Sequence, residues 1–317
     1  MTLLSIRNLS VTPRPDRPGE HPLDSLDLDI AQGEHVALVG GAHQGPASLK
    51  ALLSEPGLAK SRVEAGTVWL EVPDQGRLTL WRLLVKERGA IWAPDSAMFL
   101  GKGKKRTGAR AASLLTQLGR HSAEKRLQEG LRRFNSVDPH GLLSKPADAL
   151  DAGERMIVSL AMIAAVSPRI LLLADPTVAD PVLWARYVRE LRLLTEETGM
   201  AVLFQTSDLV RAAELCQKTV VFYAGRVVEE GDAASLRDHP QHPLTSYLGK
   251  CLPEAVPSKT PFPIDGRSAP TPGNVPTGCP FHPRCARALA GCYVEPPEFS
   301  GTSSHRWACH RPMATGL

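Results

Sequence analysis

An α/β fold with a mainly parallel sheet is what the sequence predicts, and three features predict it. Apolar runs of strand length recur at 35–39, 169–174 and 201–205. Helical stretches at 47–54, 153–166 and 182–197 separate them. A Gly-rich turn stands between the first run and its helix. Strands alternating with crossover helices build a parallel sheet that helices cover. The 317 residues are 43% hydrophobic and 22% charged, which excludes wholesale disorder and suits one large domain with a smaller one.

The elements follow in order. Residues 3–11 alternate apolar and polar through Leu4, Ile6, Leu9 and Val11, and residues 24–30 do so through Leu26, Leu28 and Ile30. Both read as half-buried strands. The turn Gln32-Gly33-Glu34 leads into the buried-type strand His35 to Val39, and Thr67 to Val72 is a further strand. Residues 101–108 are a basic, Gly-rich loop, and residues 108–134 read as helical through Leu114, Leu115, Leu118, Leu127 and Leu131. Pro168 ends the helix 153–166. A short helix is expected over 209–216, then a hairpin of 219–223 and 226–229 turned by Ala224-Gly225.

Several classes are excluded or disfavoured. The longest near-apolar stretch, Met156 to Val166, falls short of the roughly 18 residues of a membrane span. The first residues show no basic segment followed by an apolar one, so a cytosolic chain without a secretory leader is expected. A net charge of +4 gives no argument for nucleic acid.

The turn after the first buried strand carries the skeleton of a phosphate loop. Gly40 and Gly45 have the spacing of G-x-x-x-x-G-K-[ST] between a strand and a helix. Pro46 replaces the lysine that reaches phosphate, and Ala47 replaces the hydroxyl that holds Mg²⁺. Proline also removes an N–H from the anion nest. Ser48 comes one residue late, about 100° round the helix.

Further segments follow in a fixed order. They are Leu150-Asp151-Ala152-Gly153-Glu154 before a helix, Ile170 to Asp175 with Pro176, Phe204 to Leu209, and Tyr223-Ala224-Gly225-Arg226. Together with the loop they resemble the nucleotide-binding subunits of ABC transporters, over about residues 3–250. The resemblance implies a P-loop NTPase-like ABC domain, with a mainly parallel sheet, an antiparallel β part and a helical subdomain at about 94–149. It also implies losses at the chemical positions. Asp175 matches the Mg²⁺-associated aspartate, but Pro176 stands where the catalytic glutamate should follow and Ser207 stands for the switch histidine. Ala93 follows Ile91-Trp92 where a glutamine is expected, and Val11-Thr12-Pro13-Arg14 lacks an aromatic platform for adenine. The signature serine is Asp151, whose charge opposes phosphate. Phosphoryl transfer rests on positioning and charge neutralisation, so a chain lacking these groups is expected not to turn over ATP alone.

Residues 253–276 hold seven prolines and read as an extended linker. Beyond it Cys279, Cys285, Cys292 and Cys309 form C-x5-C-x6-C-x16-C. Four thiolates suit tetrahedral Zn²⁺ or an Fe–S cluster, and free or disulfide-linked thiols are the other reading. Cys216 and Cys251 read as small core residues. The run Gly278 to Cys285, with Trp307-Ala308-Cys309-His310, resembles the C-terminal extension of dipeptide, oligopeptide and antimicrobial-peptide (Sap-type) importers. His242-Pro243-Leu244-Thr245-Ser246-Tyr247 resembles the segment leading into it, and Leu150 to Glu154 has the Sap-type form of the signature.

That resemblance implies a [4Fe–4S] cluster on the four cysteines, with Zn²⁺ the other candidate. It implies a domain over 1–250, a linker over 251–277 and an extension over 278–317. The expected role is the degenerate half of a heterodimeric ATPase under two membrane permease subunits, on the cytoplasmic face of the inner membrane, with a substrate-binding protein outside. ATP on the partner ATPase would face Leu150, Asp151, Ala152, Gly153 and Glu154. The loop Gly40, Gly45, Ala47 and Ser48 would be empty or would hold nucleotide without turnover. The alternative is a soluble regulatory or scaffold protein with a dead ABC fold and a redox-sensitive tail.

Overall fold

Alternation in the first strands sets one face against a core. The structure, a computed structural model, describes residues 1–12, 21–41, 44–54, 62–72, 76–80, 90–93, 107–117, 122–134, 138–176, 180–250 and 269–313. The chain forms two compact units, residues 1–81 with 204–317, and residues 82–203. Positions 13–14, the loop 101–106, residue 118, residues 251–268 and Cys251 lie outside the described residues, so the expectations placed on them are not addressed.

In the first unit β1 (Thr2–Val11) lies antiparallel between β2 (Leu23–Ala31) and β4 (Val63–Val72), and β5 (Gly76–Thr79) flanks β4. Ile6 stands opposite Leu28 on one side and Val68 on the other, all buried. A one-residue slip would turn this apolar set outward, so burial fixes the register. A second sheet in this unit runs β11 (Phe299–Gly301), β12 (His305–Ala308), β10 (Arg226–Asp232), β9 (Lys218–Tyr223) and β3 (His35–Val39). β3 and β9 are parallel; the other pairs are antiparallel. Helices α1 (Pro46–Ser54), α7 (Leu209–Leu215), α8 (Ala233–Asp238) and α9 (Pro243–Lys250) belong to this unit. The cysteine-bearing tail is therefore continuous with the sheet, through β12 on β10.

Ala224 and Gly225 both have positive φ, 49° and 85°, which is the type I′ geometry a two-residue hairpin requires. A Cβ on Gly225 would stand 1.9 Å from the Pro22 carbonyl, so the turn is packed against the entry to β2.

In the second unit β6 (Ile91–Trp92) runs parallel to β7 (Ile170–Ala174), and Ala201 at the head of β8 (Ala201–Thr206) donates to the Arg169 carbonyl at 2.9 Å. The helices are α2 (Thr107–Gln117), α3 (Ala123–Arg133), α4 (Pro139–Ser144), α5 (Ala152–Val166) and α6 (Pro181–Thr198). Asp180 caps α6 by accepting from Val182 at 2.8 Å, Pro181 occupies its first position, and Gly199 in the left-handed region ends it. α5 ends at Ser167, also left-handed, just before Pro168.

The expected helix over 108–134 is two helices instead. Ser122, with φ 56°, has a left-handed backbone that no right-handed helix contains, so α3 starts afresh after it. The apolar spacing on either side is helical in each piece and does not reveal the break. α3 then lies close on α5, because a Cβ on Gly130 would meet the Ala161 carbonyl at 2.8 Å.

His242, at the entry to α9, is buried, and burial pushes its pKa down to about 3. Its Nδ1 accepts from the Leu244 N–H at 3.1 Å, which suits the neutral ring. The unfolded chain takes up a proton near pH 6.5, while the folded ring stays neutral. This contribution is complete above pH 6.5 and falls by about 1.4 kcal/mol per pH unit below it, down to about pH 3. Urea unfolding at pH 7.5 and 5.5 is expected to show that loss in the wild type and not in His242→Gln. An equal loss in the variant would place its origin elsewhere.

Candidate functional site

The Gly-rich turn between β3 and α1 is closed by contacts within its own unit. Gly40 donates to the Thr206 carbonyl at 3.1 Å, and Gln44 N–H to the Gly41 carbonyl at 2.9 Å. Gly45 has φ 125°, and a Cβ there would touch Phe222 at 3.0 Å. Glycine is needed both for the backbone and for the approach to β9. Pro46 is the first residue of α1 and is buried.

Gln44 ties this turn to the β9–β10 hairpin. Its side-chain Oε1 accepts from the Ala224 N–H at 2.7 Å, and its carbonyl accepts from the Gly225 N–H at 3.1 Å. Both turn amides are thus held by one residue of the Gly-rich turn. The Ser48 hydroxyl, buried, donates to the His21 carbonyl at 2.9 Å, so it points into the protein fabric. Ala47 carries no oxygen. The loop therefore keeps its glycine geometry while lacking an ammonium and a hydroxyl directed at a ligand. Ser207 follows β8 in the same unit, next to Thr206, whose hydroxyl accepts from the Asp208 N–H at 3.0 Å.

In the second unit Asp175 follows the buried strand β7, with Pro176 buried after it. The segment Leu150 to Glu154 forms the start of α5. Asp151 Oδ1 accepts from the Glu154 N–H at 2.8 Å, and Glu154 reaches back to the Asp151 N–H at 3.1 Å, a reciprocal capping box. Lys145 pairs with Glu154, and Arg155 Nε donates to the Leu150 carbonyl at 3.0 Å. The end of α5 that would otherwise attract an anion is already met by its own carboxylates. Asp151→Ala is expected to cost about 1 kcal/mol, and Asp151→Ser only a few tenths, because serine also caps. Thermal midpoints measure this; an alanine variant as stable as wild type would show that the box contributes nothing.

The four tail cysteines are free thiols. Burial, with a smaller contribution from the neighbouring thiols, raises Cys279 and Cys309 to about 11; Cys285 is raised for the same reasons. Each sulfur accepts a backbone N–H: Phe281 to Cys279, Arg287 to Cys285, Arg311 to Cys309, and Leu289 to Cys292 at 3.4 Å. Among the described residues no three His, Cys, Asp or Glu side chains gather closely enough for one metal ion. A ready-made tetrahedral zinc site, with ligands about 2.3 Å from the ion, is therefore not formed. Arg284 Nε, Arg287 Nε and Trp307 Nε1, all on this segment, are buried donors without a partner among the described residues. Buried orphan donors are rare and suit an acceptor-bearing group beside them. Cys216 is buried in the core, as its surroundings in the sequence suggest.

Sequence reasoning gave no role to Gln44, His21 or Arg284, and read Tyr223 only as part of the segment Tyr223 to Arg226. Tyr223 hydroxyl accepts from Arg284 Nη1 at 3.2 Å, and its ring meets Phe281 edge-on at 5.2 Å. No local pattern could have found these contacts, since the partners lie far apart in sequence.

Comparison with solved structures defines the class first. The chain resembles CbiO1 of Clostridium perfringens, part of an ABC transporter complex, with TM-score 0.60, 21% identity, and coverage of 75% of this chain and 91% of that one. It also resembles a dimeric ATP-binding cassette bound to ADP and phosphate, with TM-score 0.58, 20% identity, and coverage of 73% and 99%. The fold is that of the ABC ATPases.

Sequence comparison narrows the class. Residues 228–292 match the oligopeptide/dipeptide transporter C-terminal region. The dipeptide transport ATP-binding protein DppD of Haemophilus influenzae is 29% identical over 331 residues, covering 99% of this chain and 96% of that protein. DppD of Escherichia coli is 29% identical over 350 residues, covering 99% and 98%. Over nearly its whole length the chain is similar to ATP-binding proteins of dipeptide transport. Among the described residues no helix is long and apolar enough to cross a membrane.

Proposed function

We propose that this chain is the degenerate half of a heterodimeric ATPase that drives import of peptides or related small solutes. The observation that carries the reading is the phosphate loop. Its glycines keep their places, Pro46 and Ala47 supply neither cation nor hydroxyl, and Ser48 is committed to the His21 carbonyl. Asp175, with Pro176 after it and Ser207 at the histidine position, completes a set without a water-activating group.

In this reading the partner ATPase brings an intact loop, and its ATP faces Leu150 to Glu154. The capping box there makes that surface a rigid carboxylate-bearing one. Two membrane permease subunits receive the pair at the cytoplasmic face of the inner membrane, and a substrate-binding protein delivers the solute. The helical subdomain over 94–149 is the element that meets the permeases. Residues 1–250 are the ABC domain, 251–277 the linker and 278–317 the extension.

The four cysteines are assigned a [4Fe–4S] cluster. The C-x5-C-x6-C-x16-C pattern, a backbone N–H on each sulfur and orphan donors on Arg284, Arg287 and Trp307 support this reading. When bound, the cluster supplies a stable multi-thiolate link and a redox centre. The chain's own residues orient the thiolates and offer N–H groups to sulfur.

The test is MgATP binding by the anaerobically purified chain, followed by co-expression with neighbouring transporter subunits. No binding up to millimolar ATP, with co-purification of a second ATPase and the permeases, is expected. Multiple turnovers by the isolated chain, or a stable soluble complex without permeases, would overturn the reading.

A further inference from the structure

We propose that the cleft between β10 and the cysteine-bearing tail is a binding site for a small uncharged aromatic molecule that carries one hydrogen-bond acceptor. The assignment of a cluster to the cysteines plays no part in it.

Every wall lies within the first unit. The cleft holds about 310 Å³, at the lower end of the range for ligand cavities and suited to a single ring with a short substituent. β10 supplies one wall through an irregularity. Val227 stands opposite Phe222 and Glu229 opposite Val221, so Val228 is an extra residue in the ladder. Successive side chains of a regular strand point to opposite faces, whereas a bulge re-aims them. Val227 and Val228 accordingly both line the cleft. The tail supplies the facing wall through Pro280, Pro296, Pro297 and Phe299. The Phe299 ring is 43% exposed, and Arg306 stands 4.7 Å over it. An exposed phenylalanine beside two valines and three prolines is apolar surface left for another molecule to cover.

One corner of the cleft is polar. Arg226 Nε donates to Asp24 Oδ2 at 2.7 Å, and Nη2 lies 2.7 Å from the same oxygen. Nη1 makes no hydrogen bond among the described residues. Ser25 lines this corner with φ 54°, and its hydroxyl donates to Asp24 Oδ1 at 3.0 Å. A left-handed serine is uncommon, and such conformations gather at ligand sites. The charges of Arg226 and Asp24 cancel. An ionic ligand would enter the apolar cleft without a counter-charge and bear the cost of its desolvation. A neutral carbonyl meets Nη1 without that cost, while the ring attached to it lies among the valines, the prolines and Phe299. The chemistry is that of an aromatic amide or ketone.

The full chain is titrated with benzamide, benzoate and benzene, and binding is followed by the methyl signals of Val227 and Val228. Benzamide is expected to bind with Kd below about 1 mM, about fivefold more tightly than benzene and about tenfold more tightly than benzoate. In Arg226→Met the preference for benzamide over benzene falls below about twofold, while benzene still binds. In Asp24→Asn the order inverts and benzoate binds more tightly than benzamide, because the Arg226 charge is then unopposed. If one variant does not fold, the other carries the comparison. Equal affinity for the three probes in the wild type, a wild-type preference for benzoate, or methyl signals that do not respond overturns the proposal. The titration is repeated after anaerobic loading with ferrous iron and sulfide, with iron assayed. Unchanged binding is expected, because Cys279 forms only one edge of the cleft. Binding lost in iron-loaded protein would give the cleft to the cysteines and overturn the proposal, whereas absence of iron uptake would count against the cluster assignment alone.

Discussion

Replacing Glu229 by alanine is expected to destabilise the protein by about 3–5 kcal/mol, the cost of removing one partner from a buried charged network. The Glu229 side chain is fully buried on β10. Oε1 accepts from the Gln241 N–H at 2.6 Å and from His305 Nε2 at 2.7 Å, and Oε2 accepts from the His242 N–H at 2.9 Å. One carboxylate thereby fastens the entry to α9 and the tail strand β12 to the same point of the sheet. Alanine leaves two backbone donors and an imidazole without their acceptor in a buried space. Glu229→Gln keeps the shape but turns an amide NH₂ toward at least one donor, so a smaller loss, about 1–3 kcal/mol, is expected. Denaturant unfolding measures both, as a shift in midpoint at unchanged slope. A loss under about 1 kcal/mol for alanine would show that the tail is held by β12 pairing alone.

That carboxylate illustrates what the sequence does and does not disclose. Strands such as Leu23–Ala31 and helices such as Pro181–Thr198 are legible because alternation, caps and breakers are local. The hairpin is legible because Ala224-Gly225 supplies the positive φ that its turn demands. The glycines of the turn after β3 and the four cysteines stand out as spacing. The partners of these groups are not. Tandem acids in Arg226–Asp232 look like the wet face of an edge strand, yet β12 returns across a proline-rich stretch to pair with them. Pairing at such separation leaves no local mark. Gln44 and Ala224 are 180 residues apart, and a glutamine inside a Gly-rich turn gives no sign of the amide it will receive. The break before α3 is hidden for a different reason. Serine carries little conformational signal, and only the left-handed backbone at Ser122 shows where one helix stops and another begins.

Giving the turn after β3 the lysine and hydroxyl of a phosphate loop is the sharper test of the proposed function. Pro46→Lys with Ala47→Ser is expected to raise MgATP affinity by about 10- to 100-fold, the scale of a charge-assisted hydrogen bond of roughly 1.5–3 kcal/mol. Lysine returns a cation and also a first-turn N–H, one of the unpaired donors with which a helix start receives phosphate. Ser48 cannot substitute for the Ala47→Ser change, because its hydroxyl is engaged by the His21 carbonyl. On the proposed reading turnover stays at background, since Pro176 and Ser207 supply no group that positions water. Titration at fixed Mg²⁺ and ionic strength, with phosphate release on the same samples, reads both quantities. Measurable hydrolysis by the double variant would mean that another group activates water, and the account of Pro176 and Ser207 would fall. Unchanged affinity would instead locate the block at Gln44, whose side chain and carbonyl bind the loop to the β9–β10 turn. Adding Gln44→Ala then separates the two causes. Affinity gained only in the triple variant means that the latch closes the loop, whereas affinity gained in the double variant means that the missing cation alone kept nucleotide out.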